Sequence, residues 1–402
     1  MPQKIRLLQL SPQFPFPQDD GGKIGIANIL KEFYKCGIDV TFFCIAEKMP
    51  EKPLLDEASQ YADIRVCLHS TRNTSLRIAN SLLLNHSIYI RKHFHKKIKE
   101  DLFRLLKEKK FDAVHSDHSC MAPLGILAKK TQNIPLGIRL HNIEWTIWKR
   151  YSENLPKASP KRLYIEHQAC LLKKAERLLY SQADVLFPLT EPDKARALEL
   201  SPNSEAIFAS AGVDLDEWMP DKSIKRNTKE LVLATTYQWI HNVDAVRWFI
   251  TEVMPLLRSK NPDISLTLIG KNAPEWLKQY KHIGVNTVGY VNRVQPYYNR
   301  AAVNISPLFV GGGIRIKILE AMAMQLPVVA SPIAAEGINA SQEDGLFLAN
   351  NKNEFADMIT MLINNPIQAR EIGTYAREFI SKNFTWEKNV AIMANNYKER
   401  LS

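Results

Sequence analysis

Short apolar runs rich in β-branched residues alternate along this chain with stretches of helical periodicity. No other feature of the sequence limits its fold as much. The first half contains KIRLLQL, DVTFFCI, DAVHSD, IPLGIRL and VLFPLT, and the second contains LVLATT, SLTLIG, VNISPL and LPVVAS. Strands buried on both faces read as continuous apolar runs, and helices between them serve as crossovers, so the class is α/β with parallel sheets. No repeat recurs at a fixed period, which excludes solenoids and propellers.

The chain has 402 residues, more than one hydrophobic core usually serves. Apolar content falls and Gly, Pro, Asp and Lys gather in SAGVDLDEWMPDKSIKRNTKE, residues 210–230, which reads as a linker. Two doubly wound domains facing a central cleft are therefore expected. Ligands of such sheets lie beyond the carboxyl ends of the strands, so motifs are sought just after each run.

The charge balance narrows the partners. Lys and Arg number 53 against 42 Asp and Glu, a formal net charge of +11 that suits a polyanion or an anionic surface. No nucleic-acid module is recognisable, so nucleotide phosphates and acidic lipid are the better candidates. The cysteines (Cys36, Cys44, Cys67, Cys120, Cys170) are odd in number and lack metal-ligand spacing. They point to a reducing compartment without disulfides or structural zinc. The N-terminal apolar run reads as a first strand rather than a leader, and no stretch is apolar for long enough to cross a membrane. A cytoplasmic chain, with the inner membrane face as its candidate peripheral contact, is the expectation.

Four stretches carry candidate chemistry. In SPQFPFPQDDGGKIGIANILKEF, Gly21 and Gly22 lie between a Pro-rich loop and a helix, where backbone can approach an anion closely. A tight strand-to-helix turn explains the pair equally well. IPLGIRLHNIEW ends in Arg139, His141, Asn142 and Glu144, polar groups that are poor core residues where a strand leaves its sheet. LVLATTYQWIHNVDAVRWF offers Thr235, Thr236 and His241 to a phosphate, or simply a capped helix start. The fourth, PLFVGGGIRIKILEAM, runs Gly311, Gly312 and Gly313 into a helix beside Arg315 and Lys317. Glycine amides at a helix start form an anion nest, but the two cations would point about 200° apart on one helix unless it begins after them. The Gly-Lys-[Ser/Thr] ending of a P-loop is missing. Asp214-Leu215-Asp216 has a cation-binding form but falls in the linker.

From GGGIRIKILEAMAMQLPVVASPIAAEGI, supported by GGKIGIANILKEF, RLHNIEW, QADVLFPLT, AGVD and NVDAVRWF, the chain resembles family 4, group 1 glycosyltransferases of the GT-B fold. The resemblance implies two Rossmann-like domains, residues 1–212 with a crossover helix 386–402 for the acceptor and 213–385 for a nucleotide-sugar donor. It implies transfer with retention of configuration and no metal or other cofactor, in cell-envelope or polysaccharide biosynthesis. By the same resemblance Glu320 holds the donor ribose, His141 contacts the transferred sugar, and Gly21 and Gly22 lie near the donor phosphates. Tyr290 and Val291 read the base, and Gly311, Gly312, Gly313 and Ile314 line the donor with Thr235 and Thr236. The family's first glutamate is replaced by Gly312, and its usual Arg and Lys after the first donor-domain strand are absent. Arg315 or Lys317 is expected to supply that charge. A nucleotide-sugar epimerase and a non-catalytic sugar-nucleotide binder remain alternatives.

Residues 88–110, IYIRKHFHKKIKEDLFRLLKEKK, read as one basic amphipathic helix with Ile90, Phe94, Ile98, Leu102 and Leu105 on one face. Contact with anionic lipid, and so a lipid-linked acceptor, and ordinary packing on the chain's own sheet are both open.

Overall fold

A computed structural model describes residues 4–401. The chain forms two compact units, one comprising residues up to Ser210 with those from Trp386 onward, and the other Ala211–Thr385. Each is built on a six-stranded parallel sheet with the same strand order.

The first sheet contains β1 (Arg6–Ser11), β2 (Asp39–Ala46), β3 (Asp63–Leu68), β4 (Ala113–Asp117), β5 (Leu136–Leu140) and β6 (Val185–Pro188), ordered β3-β2-β1-β4-β5-β6. The second contains β7 (Glu230–Ala234), β8 (Ser265–Ile269), β9 (Val285–Gly289), β10 (Val303–Ser306), β11 (Val328–Ala330) and β12 (Leu346–Leu348), ordered β12-β11-β10-β7-β8-β9. Both orders reverse beside the first strand, so β1 pairs with β4 and β7 with β10. Loops on either side of each reversal open a crevice at the carboxyl edge of the sheet.

Core residues follow from the runs. Leu8, Leu10, Val114, Leu136, Ile138 and Leu140 are buried in the first sheet, and Leu231, Leu233, Leu266, Leu268 and Ile305 in the second. Arg139 departs from the expectation that it would avoid the core, because it is buried within β5. Its Nη1 lies 3.3 Å from Asp117 Oδ1, while Gln9 Nε2 donates to Asp117 Oδ2 at 2.6 Å. A buried guanidinium is tolerable only with such a partner.

The stretch 88–110 is not one helix. Ile88–Arg91 and Lys96–Glu108 are separate, with His95 capping the second by accepting from the backbone N–H of Lys97. Ile98, Leu102 and Leu105 belong to the core of the first unit, and Ile90 and Phe94 pack against it. The apolar face is occupied by the chain's own sheet, as in an ordinary amphipathic surface helix.

The helix Trp386–Leu401 packs against the helix Gly21–Lys35 within the first unit. Its Tyr397 is fully buried, with the hydroxyl 2.9 Å from His115 Nδ1. Gly137 makes room for it, since a Cβ there would sit 2.1 Å from Tyr397 Oη and 2.7 Å from the Phe187 ring. Gly137→Ala is expected to cost about 1–3 kcal/mol through overpacking. Tyr397→Phe, which loses only the hydrogen bond, is expected to cost about 1 kcal/mol. Urea unfolding of each variant checks both.

Candidate active site

In the second unit, four loops meet at the carboxyl edge. Thr235 N–H donates to Ile269 O at 2.9 Å and Gly270 N–H to Gly289 O at 2.8 Å, joining the ends of β7, β8 and β9 side by side. A Cβ on Gly270 would lie 2.0 Å from the Thr235 carbonyl oxygen, so glycine is what lets these two loops touch. Thr236 accepts from Asn242 Nδ2 at 2.8 Å through its carbonyl. That bond orders the start of helix Ile240–Trp248, whose N-cap residue Trp239 provides no side-chain cap. Tyr290 and Val291 follow β9, with Lys271 Nζ 5.5 Å from the Tyr290 ring centroid.

On the other side of the reversal lies the glycine run. Phe309 packs edge-on against Trp248 at 4.7 Å, tying this loop to the helix after β7. Gly313 has φ +70°, a left-handed value that favours glycine. A Cβ on Gly311 would meet the Arg315 guanidinium at 1.9 Å, and Arg315 Nη1 donates to Gly312 O at 2.6 Å. Ile314 is buried between the glycines and Arg315.

The following helix spans Ile316–Ala323, so it begins between the two cations and removes the conflict of direction expected between them. Arg315 is its N-cap residue and folds back over the glycines. Lys317 instead forms an ion pair with Glu320 at 3.0 Å and lies over the Trp218 ring. Burial pushes the Glu320 carboxyl up, opposed by Lys317. Of the two cations expected to serve a phosphate, the structure brings only Arg315 to the glycine loop, while Lys317 is engaged by Glu320.

Electrostatically this corner is positive. A helix N-terminus carries partial positive charge, its first turn has no acidic residue, and a guanidinium sits upon it. The neighbouring His241 imidazole is held below its usual range by burial and then by Arg315. An anion would relieve this accumulation, as at other helix N-termini. Asp214, the first carboxylate of the possible cation motif, is occupied by the backbone N–H groups of Asp216 and Glu217 at 2.9 and 3.2 Å.

In the first unit, Gly21 and Gly22 are not in a loop but are the first two residues of the helix Gly21–Lys35. Asp20 caps that helix by accepting from Lys23 N–H at 2.9 Å. His141 follows β5 and stacks on His118, which follows β4, at 4.7 Å between ring centroids. His118 has φ +73° and is pushed down to about 4, by burial first. Sequence reasoning missed it, although DAVHSDH shows a histidine one residue beyond a strand, the same signal that singled out His141. Lys271 and Gly270 were missed likewise, after SLTLI.

Glu144 opens the helix Glu144–Glu153, and Glu176 accepts from the backbone N–H groups of Glu144 and Trp145 at 3.1 and 3.2 Å. Burial pushes both carboxyls up, Glu144 to about 7 and Glu176 to about 8. The folded chain therefore keeps protons that the unfolded chain releases near the ordinary carboxylate range, and stability falls as pH rises through the folded values. The melting temperature is expected to drop between about pH 5 and pH 8, and Glu176→Gln is expected to flatten that slope. Calorimetry over that range checks it.

Residues 229–365 match the family model for glycosyl transferases group 1. A 44.6 kDa uncharacterised protein in the cps region of Klebsiella pneumoniae is 24% identical over 98% of this chain and 99% of its own. Among solved structures, sucrose-phosphate synthase from Thermosynechococcus elongatus aligns with a TM-score of 0.73 at 15% identity, over 98% of this chain and 99% of that one. Anabaena HepE in complex with UDP and glucose aligns with a TM-score of 0.67 at 14% identity, over 98% of this chain and 100% of that one. The structural likenesses establish a shared GT-B fold, and the family match falls on the unit that contains the glycine run and Arg315. The chain therefore has the GT-B fold, and its residues 229–365 match the group 1 glycosyl transferases.

Proposed function

We propose that the chain transfers a sugar, with retention of anomeric configuration and without a bound metal, from a nucleoside diphosphate sugar to a saccharide or lipid-linked acceptor. The observation that carries this reading is the guanidinium of Arg315, folded over Gly311 and Gly312 at a helix N-terminus whose first turn holds no acidic residue. As the bond between the sugar and the diphosphate breaks, negative charge grows on the leaving phosphate. Backbone amides and a fixed cation at that point stabilise the departing group. UDP is the nucleotide to try first, because HepE, with the same fold, was solved with it. The cps-region relative supports capsule-type polysaccharide assembly as the setting.

Within the second unit, Thr235, Thr236 and Gly270 form the floor beside the phosphates, Tyr290 and Val291 flank the base, and Glu320 binds the ribose once Lys317 yields it. In the first unit, His141, stacked on His118, is assigned to the transferred sugar, and the surrounding loops to the acceptor. Arg315→Ala is expected to weaken UDP binding by about tenfold to a hundredfold, the worth of a charge-assisted hydrogen bond. His141→Ala is expected to lower turnover while leaving UDP affinity unchanged. Calorimetric titration with UDP and turnover of UDP-sugars with and without EDTA test the reading, and NMR of the product reports its anomeric configuration. Unaltered UDP affinity in Arg315→Ala, turnover lost with EDTA, or an inverted product would each count against the corresponding part.

A further inference from the structure

The first unit carries an apolar helix that its own core leaves uncovered. In the helix Ser75–Leu83, Leu76 and Leu83 are each 83% exposed, Leu82 is 49% exposed, and Leu84 just beyond is 63% exposed. Leu76 and Leu83 are seven residues apart, two helical turns, and so share one outward stripe. The opposite side is fixed: buried Ser81 lies 3.3 Å from Tyr164 Oη and accepts from Gln168 Nε2, both on the helix Pro160–Tyr180. Single exposed leucines are ordinary, but four on one short segment make a patch that calls for a partner.

The surroundings of the patch are basic. No Asp or Glu occurs between residues 64 and 99, a span that includes Arg77, Arg91, Lys92 and Lys97. Arg77, on the leucine helix, donates to the carbonyl oxygens of Arg72 and Ser70 and sits beside His69. His69 stacks at 4.4 Å on His95, the N-cap residue of Lys96–Glu108. These contacts link the start of that lysine-rich helix to the leucine helix through His69 and Arg77. The nearby acids are already engaged, Glu47 by Arg72 at 2.9 Å and Glu100 by Lys96 at 3.7 Å.

We infer that the helix Ser75–Leu83 lies on an anionic lipid bilayer, its leucines in the acyl boundary and the surrounding cations among the head groups. Apolar insertion and basic attraction together are what hold interfacial helices to membranes. A second copy of the chain fits less well, because a twofold contact would set this basic surround against itself. The inference goes beyond the transfer reaction and holds whatever the acceptor.

The full chain is mixed with vesicles of phosphatidylcholine alone and of phosphatidylcholine with an equal part of phosphatidylglycerol, and sedimented. Binding is expected only to the anionic vesicles and should weaken as salt screens the head groups. Leu76→Ser and Leu83→Ser should each weaken binding by about tenfold, the worth of one leucine side chain leaving an apolar phase. Both sites are on the surface, so unchanged melting and unchanged UDP affinity show that the variants are folded. Failure to bind anionic vesicles at low salt overturns the inference, as does equal binding by the double variant. Sedimentation velocity showing a dimer that Leu83→Asp splits would assign the patch to a second copy and overturn it too.

Discussion

The candidate donor site depends on the reversal of strand order beside the first strand of its sheet. Parallel strands need crossovers, and crossovers running in opposite directions from β7 leave a gap between the loops that follow β7 and β10. Across that gap Phe309, in the loop after β10, packs on Trp248, and Arg315 acts on His241, both in the helix that follows the Thr235–Thr236 loop. Hydrogen bonds from Thr235 to Ile269 and from Gly270 to Gly289 extend the same edge toward Tyr290. No single loop makes the site; the sheet sets the spacing and each loop adds one element.

The first unit uses the same plan around a buried charge. Burial pushes the Asp117 carboxyl up, but His115 and Arg139 more than reverse this and hold it well below the usual carboxylate range. The Arg139 guanidinium is lowered by burial, with Asp117 opposing. Such a pair is not an economical source of stability, since a well-packed apolar replacement often does as well. What it does provide is register: Gln9 on β1, Asp117 on β4 and Arg139 on β5 can meet only when three neighbouring strands are correctly aligned.

Most of the architecture was legible, and what escaped has a common cause. The runs that identified strands were those sealed on both sides by neighbours. β3, β9 and β12 went unread, and all three are edge strands with partly exposed residues: polar residues interrupt DIRVCL and VNTVG, and LFL is only three residues long. β6 is also an edge strand yet was legible, because it is fully buried and forms a further bridge to Ala206. At the site, the glycines and Arg315 could be read because they are adjacent in sequence. The helix start between Arg315 and Lys317, the pairing of Lys317 with Glu320, and the stacking of His118 on His141 depend on three-dimensional placement. Arg139 was misjudged for the same reason, since its partner is 22 residues away on another strand.

The burial of Tyr397 against His115 also bears on how the chain is made. Those residues are 282 positions apart, and the whole second unit is strung between them. During synthesis the second unit can close on itself before the helix Trp386–Leu401 has emerged, whereas the first must wait with one flank of the helix Gly21–Lys35 and the pocket above Gly137 open to water. The unit begun first is thus finished last. Its unsealed flank is the surface most exposed to association with other nascent chains, and to chaperones that guard against it.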